Sequence, residues 1–533
     1  MVSAARGQAP AGPGPDADKG RILLVLPFDN RTGQPSLEWI REAAADLLSS
    51  RFASAGFAPM TRADRMYALD HLGLPQGFQP SRASSLKLAQ TLDADSIIVG
   101  SYSTEGTEIV AEAQLVDVPR LRMGEAVSSR GEMRNMIAIF DSLAWKLTRQ
   151  LDPSLNVSEE TFVAEGAGLR LDAYEQYIRG ITEADHEERL RHLDQAVKLS
   201  PDFSPAWMAL GREEYQGQQY EPAAQEFAKV DHNGPDGLEA GFFRGLSLLF
   251  SGDYPQAEQA FAEVARVLPL AEVVNNEAVA ISRQDHDGTA LFVQAASADP
   301  DNPDYHFNLA VSLKRHGKDT AALNELAQCL KLRPNDSEAQ SLQAAWKDAA
   351  VKQVDLGPGA QARRSGEGRP GDQSAADPLE RIVRSFDATA FRQAANMLDQ
   401  TDATRLASLP PRERALQLSA QAKGFLDRGL LLEAERLYQQ AVAADAQVAE
   451  AHVGLAEVSE RTGDLGAARK EAQAALELSP SAEAYLVLGR LDLAENQLNE
   501  AKNDASQALK ADPASDAARE LLRQVLVRSG ESK

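Results

Sequence analysis

The strongest constraint on this chain is an echo. Gly211, Ala223, Phe227 and Pro235 recur thirty-four residues later as Gly245, Ala257, Phe261 and Pro269. Four positions shifting together by one offset mark a repeat, and a unit of this length cannot bury its apolar face alone. Its neighbours therefore have to stack on it. With Trp207 set as position four, Leu210 and Gly211 fall at seven and eight, Ala223 at twenty, Phe227 at twenty-four and Pro235 at thirty-two. The same frame reads Leu309, Ala310, Ala322, Leu326, Cys329 and Pro334 in a later unit. Small residues at eight and twenty let two helices approach closely, and Phe at twenty-four fills the gap toward the next unit. A shortened unit lies between, its proline, Pro300, arriving three residues early. The loss is expected between its two helices.

This pattern resembles the tetratricopeptide repeat, a pair of antiparallel helices per unit. A weaker unit ending at Pro201 opens the array, giving five units over 169–354. A second array of three units covers 411–528. It carries Ala422, Ala434, Tyr438 and Ala441, then Leu455, Ala456, Ala468, Ala475 and Pro480, then Tyr485, Leu488, Gly489, Ala501, Ala508 and Pro513. Ala446 stands where the first of these would have its proline. Stretches at 337–353 and 514–528 read as closing helices with a polar outer face. Between the arrays, 355–378 is too rich in Gly, Pro and charge to pack and is expected to be a flexible tether, reaching roughly 25–30 Å. Residues 379–410 follow as a helical lead-in, with Phe386, Phe391, Met397 and Leu398 at helical spacing and Pro410 and Pro411 ending it.

The N-terminal third has a different period. Residues 1–20 are expected to form a disordered tail. "RILLVLPF" then reads as a buried strand and "DNRTGQP" as a turn. Ser36 can cap a helix with Leu37, Ile40, Ala44, Leu47 and Leu48 on one face. A strand near Phe57–Thr61, helices at Arg62–Leu72 and Ser84–Leu92, and a hairpin turning at Glu105–Gly106 follow. The hairpin sets Ile109, Ala111, Ala113 and Leu115 against Glu108, Val110, Glu112, Gln114 and Val116. A strand at about 124–131 and a helix at about 134–150 complete the domain, followed by a linker at 153–168. The expected fold is thus α+β and mostly α: an N-terminal α/β domain with a mixed sheet over 21–152, then two α-solenoid arrays. "LLVLPFDNRTGQPSLEWI" with "LDADSIIVGSYS" and "AQLVDV" resembles the TolB amino-terminal-like domain of bacterial envelope proteins, which implies a docking or assembly module.

There is no G-x-S-x-G elbow, P-loop or H-E-x-x-H sequence. His186 and His192 have the wrong spacing for two ligands on one helix face. Ser84 to Lys87 fits S-x-x-K, but helix capping by Ser81 or Ser84 accounts for it. "DPDNPD" at 299–304 lacks the glycine and terminal glutamate of a calcium loop. Gly166-Ala167-Gly168 and Gly357-Pro358-Gly359 do not lead from a strand into a nucleotide-binding helix. Asp29, Asn30, Arg31 and Thr32 follow the first strand, where an α/β site would sit; a turn is the plainer reading. The single cysteine, Cys329, excludes an intramolecular disulfide, and small residues at its counterpart positions mark it as packing. No cofactor or metal is expected. A net charge of −24 disfavours nucleic acid as the main partner.

What remains is a recognition surface. The resemblance implies that the first helix of each unit lines a concave groove. By that carry-over Arg212, Tyr215, Phe242, Leu246, Arg283, Phe307, Lys314 and Arg315 line it, with Asn276 and Asn308 at position six placed to bond a peptide backbone. The basic clamp of chaperone-tail binding is not reproduced. Expected partners are therefore proteins or peptides. The expected role is a non-enzymatic scaffold of the bacterial cell envelope, the alternatives being a cytoplasmic adaptor or an enzyme with a site in the α/β domain. Small residues in "SAARGQA" resemble the tail of a secretory signal, so a periplasmic or envelope location is expected.

Overall fold

A computed structural model describes residues 22–75, 82–153, 155–166, 168–356, 378–385, 401 and 403–530. The expected N-terminal tail, the tether over 357–377 and the Phe386, Phe391, Met397 and Leu398 stripe lie outside the described residues. The chain divides into two units, residues 1–178 with 401–533 and residues 179–400.

In the first unit, strand β1 (Ile22–Val25) pairs in parallel with β3 (Ala58–Pro59) on one side and β4 (Ser96–Glu105) on the other. Strand β2 (Asp29–Asn30) also joins β4 in parallel. The long hairpin of β4 and β5 (Glu108–Asp117) turns at Gly106, whose φ of +64° is left-handed and costs glycine little. Strands β6 (Arg122–Met123) and β7 (Val127–Glu132) both pair with β5, so the sheet is mixed. Helix α1 (Ile40–Ser54) packs on α4 (Met136–Leu151), which covers β5 and β7; Phe28 meets Phe140 edge-on, ring centroids 5.7 Å apart. Helices α2 (Arg62–His71) and α3 (Arg82–Thr91) bury Ala68, Leu69, Leu88 and Ala89 with Leu24, Ile97 and Val116 of the sheet. A capping box of Thr61 and Asp64 starts α2.

The cap expected at Ser36 is not formed, and of the two residues expected to cap α3, Ser81 lies outside the described residues. Ser36 lies in a short 3-10 turn and α1 begins at Ile40, while Ser84 is inside α3. The hairpin faces hold for Ile109, Ala111 and Ala113, which are buried. Val116 is buried on the opposite face with α2 and α3, because a sheet clothed on both sides has no solvent face there.

The same unit contains the second array: α17 (Pro411–Asp427), α18 (Leu431–Ala444), α19 (Ala449–Thr462), α20 (Leu465–Leu478), α21 (Ala482–Ala494), α22 (Leu498–Ala511) and a closing helix α23 (Asp516–Ser529). Its core is thin and alanine-rich, with Ala434, Ala441, Ala468, Ala472, Ala475, Ala501, Ala505 and Ala508 all fully buried. Between the sheet domain and the repeats lies α5 (Glu159–Glu165), which packs on α18 and α19.

The first array runs through α6 (Leu171–Thr182), α7 (His186–Leu199), α8 (Ser204–Gln216), α9 (Tyr220–Phe227), α10 (Gly237–Ser251), α11 (Tyr254–Val267), α12 (Ala271–Ser282), α13 (Thr289–Ala298), α14 (Pro303–Arg315), α15 (Asp319–Leu332) and α16 (Ser337–Leu356). The repeat pattern has a steric cause. A Cβ on Gly211 would stand 2.9 Å from the Phe227 ring, and one on Gly245 would stand 2.7 Å from the Phe261 ring. The glycine at position eight is thus the seat of the phenylalanine at twenty-four. In the shortened unit the loss falls within the second helix, not between the helices. The 283–288 connection is longer than the two residues joining α10 to α11, whereas α13 spans 10 residues against 14 for α11.

Candidate functional site: an extended segment on the first array

The expected helical lead-in does not begin at residue 379. Residues 378–385, "PLERIVRS", have no helix and lie extended against the first helices of the fourth and fifth repeats. The spacing of Leu379, Ile382 and Val383 suits a helix. The array instead offers backbone partners that an already hydrogen-bonded helix could not use.

Those partners are asparagines. Asn276 Nδ2 donates to the Val383 carbonyl at 2.8 Å, and the Val383 N–H donates back to Asn276 Oδ1 at 3.0 Å. Asn308 repeats the arrangement on Arg381, with Nδ2 to the carbonyl at 2.8 Å and the Arg381 N–H to Oδ1 at 2.6 Å. In an extended chain the N–H and C=O of residues two apart face the same side, so each carboxamide acts as one rung of a β-ladder. Asn275 joins them: it accepts from Asn308 Nδ2 at 2.8 Å and donates to Asn276 Oδ1 at 3.2 Å and to the Arg381 carbonyl at 3.3 Å. All three asparagines are fully buried.

Side chains of the segment are read in opposite senses. The Glu380 carboxylate, 3% exposed, receives Ser282 Oγ and Arg315 Nη1, and Arg283 Nε lies 3.7 Å from its second oxygen. Arg315 Nη2 donates to the Pro378 carbonyl at 2.9 Å and Arg283 Nη2 to the Glu380 carbonyl at 3.0 Å. One residue on, Arg381 reaches three carboxylates: Asp304 at 2.8 Å, Asp336 at 2.7 Å and Glu338 at 2.9 Å. Its guanidinium also sits 3.7 Å from the Phe307 ring centroid. Burial alone would lower the pKa of Arg381, but hydrogen bonds from its guanidinium to Asp336, Asp304 and Glu338 outweigh it and raise it. The hydrogen bond from Arg381 holds the Asp336 carboxyl below its ordinary range. Burial opposes ionisation of Asp304, yet its bonds from Arg333 and Arg381 prevail and lower its pKa. Ile382 and Val383 rest half-buried on the array core, and Arg384 lies 4.6 Å from the Phe250 ring centroid.

Of the residues expected to line the groove, Asn276, Arg283, Phe307, Asn308 and Arg315 meet in this site. Tyr215 lies at its far end in an aromatic cluster with Tyr220, Phe243 and Phe250. Phe242 and Leu246 are core residues instead; Phe242 packs edge-on against Phe261, 5.8 Å between centroids. Arg212 pairs with Glu239 of the next repeat. Lys314 pairs with Asp319 at 2.9 Å and faces Trp346. Asn275, Ser282, Asp304 and Asp336 were not anticipated. The doubled asparagine of "VVNNEAV" was a legible signal for the first of them.

The tempting motifs resolve structurally. In "DPDNPD", Asn302 caps α14 and Asp304 serves Arg333 and Arg381. Among the described residues no cluster of metal-ligating side chains is present. Cys329 is fully buried, and burial pushes its thiol up to about 11. Asn30 Oδ1 accepts from the N–H and hydroxyl of Thr32, and Asn30 Nδ2 donates to Gln34 and Glu38, which shapes the turn after β2. Gly166 lies where a Cβ would be 2.4 Å from Asp141, whose buried carboxylate meets Arg51 at 2.7 Å.

Three family models, each described as tetratricopeptide repeat, match residues 286–345, 419–483 and 482–515. The chain carries tetratricopeptide repeats. The solved structure of YrrB, a TPR protein with an unusual peptide-binding site, is 15% identical. It aligns over 40% of this chain and 100% of its own, with a TM-score of 0.28. The first TPR of Spaghetti (RPAP3) bound to HSP90 peptide SRMEEVD is 23% identical over 22% of this chain and 95% of its own, TM-score 0.21. The LpoB C-terminal domain from Escherichia coli is 21% identical over 22% and 88%, TM-score 0.20. The comparison with curated proteins gave no match. Asn308 lies within the matched residues 286–345, and Asn276 stands ten residues before them. No helix among the described residues is long and apolar enough to cross a membrane.

Proposed function

We propose that this protein is a non-enzymatic interaction scaffold whose first array binds extended protein segments in its concave groove. The observation that carries this reading is the paired asparagine ladder: Asn308 on Arg381 and Asn276 on Val383, two residues apart on one extended chain. Four such bonds contribute about 0.5–1.5 kcal/mol each, independent of side-chain identity, and the flanking charges add selectivity. This is recognition of an extended peptide by backbone bonds with side-chain pockets. The α/β domain is proposed as a TolB-like docking module, on the strength of its sequence motifs, which makes the scaffold an envelope component. Fractionation of cells producing the native gene tests that placement, and recovery in the cytoplasm alone would refute it.

The groove is tested with a dye-labelled peptide, PLERIVRS, titrated by fluorescence anisotropy. The receptor is the full chain carrying Glu380→Ala and Arg381→Ala, which weaken its own segment. Saturable binding is expected, with at least a tenfold loss when Asn276→Asp and Asn308→Asp are added. These replacements keep shape and acceptor but remove the donor. Absence of binding, or binding indifferent to the asparagines, defeats the reading.

A further inference from the structure

The ligand seen in the groove belongs to the same chain. It follows α16 after residues 357–377, and it returns along the array in reverse: Arg381 on the fifth repeat, Val383 on the fourth and Arg384 over Phe250 of the third. The groove is built for its charges as well as its backbone. Arg283, Arg315 and Ser282 converge on one carboxylate, while Asp304, Asp336 and Glu338 converge on one guanidinium. Asp336, with a side chain only 6% exposed, would otherwise hold its charge in a poorly solvated place with Arg333 3.7 Å away as its remaining cation. An occupant with the opposite order of charges would face like charge on both residues.

The segment is nonetheless lightly attached. Leu379 is 58% exposed, Ile382 and Val383 are only half-buried, and most of the hold is polar. Such contacts exchange readily for identical ones from another chain, unlike a buried apolar core. Resting on the peptide-groove reading, we infer that Pro378–Ser385 is an intramolecular occupant that gates the groove, and that the trans partner is an extended protein segment carrying Glu-Arg followed by two apolar residues. The cis segment sets a threshold: a tethered competitor acts at an effective concentration on the order of millimolar. With an intrinsic Kd of ~100 μM for the cis segment, any competing partner is weakened about tenfold, by the ratio of the effective concentration to that Kd.

The test compares PLERIVRS binding to the wild-type full chain and to the Glu380→Ala, Arg381→Ala chain. A second variant, with residues 379–385 replaced by a Gly-Ser stretch of equal length, guards against idiosyncrasy of the first. Circular dichroism checks that each stays folded. About tenfold weaker apparent binding to wild type than to both variants is expected. Equal affinities overturn the gating while leaving the groove intact; no binding to either variant defeats the groove reading, and the gating with it. Peptides PLARIVRS and PLEAIVRS are expected to lose at least tenfold each, and unchanged affinity overturns the Glu-Arg requirement. Light scattering separates the remaining case. A wild-type dimer that dissolves in the Gly-Ser variant would place the segment on a second copy and overturn the intramolecular gate.

Discussion

The two arrays share a repeat and hold different kinds of chain. At position six the first array offers Asn276 and Asn308, and an extended segment lies on them. The same position in the second array is Ala420, Gly454 and Val487, none of which can bond a backbone. The second array instead takes the already folded helix α5, through a side chain. Glu435 of α18 accepts from the Thr161 hydroxyl and from the Ser158 N–H at 3.3 Å, and Gln439 donates to the Asn156 carbonyl at 2.8 Å. A helix has satisfied its own backbone except at its first turn, and that first turn is where Glu435 makes its bonds. The difference teaches that the repeat sets only the spacing of faces. Polar side chains at different positions of the unit, Asn276 and Asn308 on first helices and Glu435 on a second helix, make the bonds to the two kinds of chain.

The largest expected effect breaks the packing side of the comparison. At position twenty-four the first array carries Phe227, Phe261 and Leu326, whereas the second carries Tyr438, Ala472 and Ala505. Phe261 is fully buried over Gly245 and beside Phe242, so Phe261→Ala leaves a ring-sized void and is expected to cost ~3–5 kcal/mol. Ala475→Gly, at a fully buried alanine of the second array, removes one methyl and helix propensity, about 1 kcal/mol. Urea unfolding followed by tryptophan and helix signals checks the ratio; equal costs would mean that the aromatic seat adds nothing.

Glu435 comes next. It is 8% exposed, and its replacement strips Thr161 and the Ser158 N–H of their acceptor. Glu435→Ala is expected to cost about 2 kcal/mol, with hydrogen exchange accelerating in α5 before the helices of the second array. Unchanged protection of α5 would show that apolar contact, chiefly through Ala164, holds the helix by itself.

Much of this was legible beforehand. The thirty-four-residue frame located both arrays, and Asn276, Asn308, Arg283, Arg315 and Phe307 were placed from repeat position alone. What could not be read was the occupant. Leu379, Ile382 and Val383 carry helical spacing, and local pattern has no knowledge of two asparagines more than seventy residues away in sequence. Phe242 is fully buried against Phe261 in the array core, a packing that position counting does not register.

The smallest effect is a pH dependence carried by single, partly buried carboxyls. In the second array burial and the neighbouring Asp492 push the Asp504 carboxyl up to about 6, whereas Asp336 in the first array is held low by Arg381. A carboxyl raised in the folded state keeps its proton where the unfolded chain has released it. Between pH about 4, the unfolded value, and about 6, stability therefore falls as pH rises. A lowered carboxyl does the reverse, contributing stability above the unfolded value and losing it as pH drops below about 4. Taking the second array from pH 7 to pH 5 is thus expected to stabilise it by about 1 kcal/mol, discounted for the partial exposure of Asp504. Glu214 of the first array, which burial and Glu226 push up to about 7, gives that array a gain of the same sign. Asp504→Asn should abolish that gain and raise the melting temperature of the second array at pH 7 by about 2–4 °C. Calorimetry at pH 5, 6 and 7 decides it, since a gain that persists in Asp504→Asn would move the titrating group elsewhere.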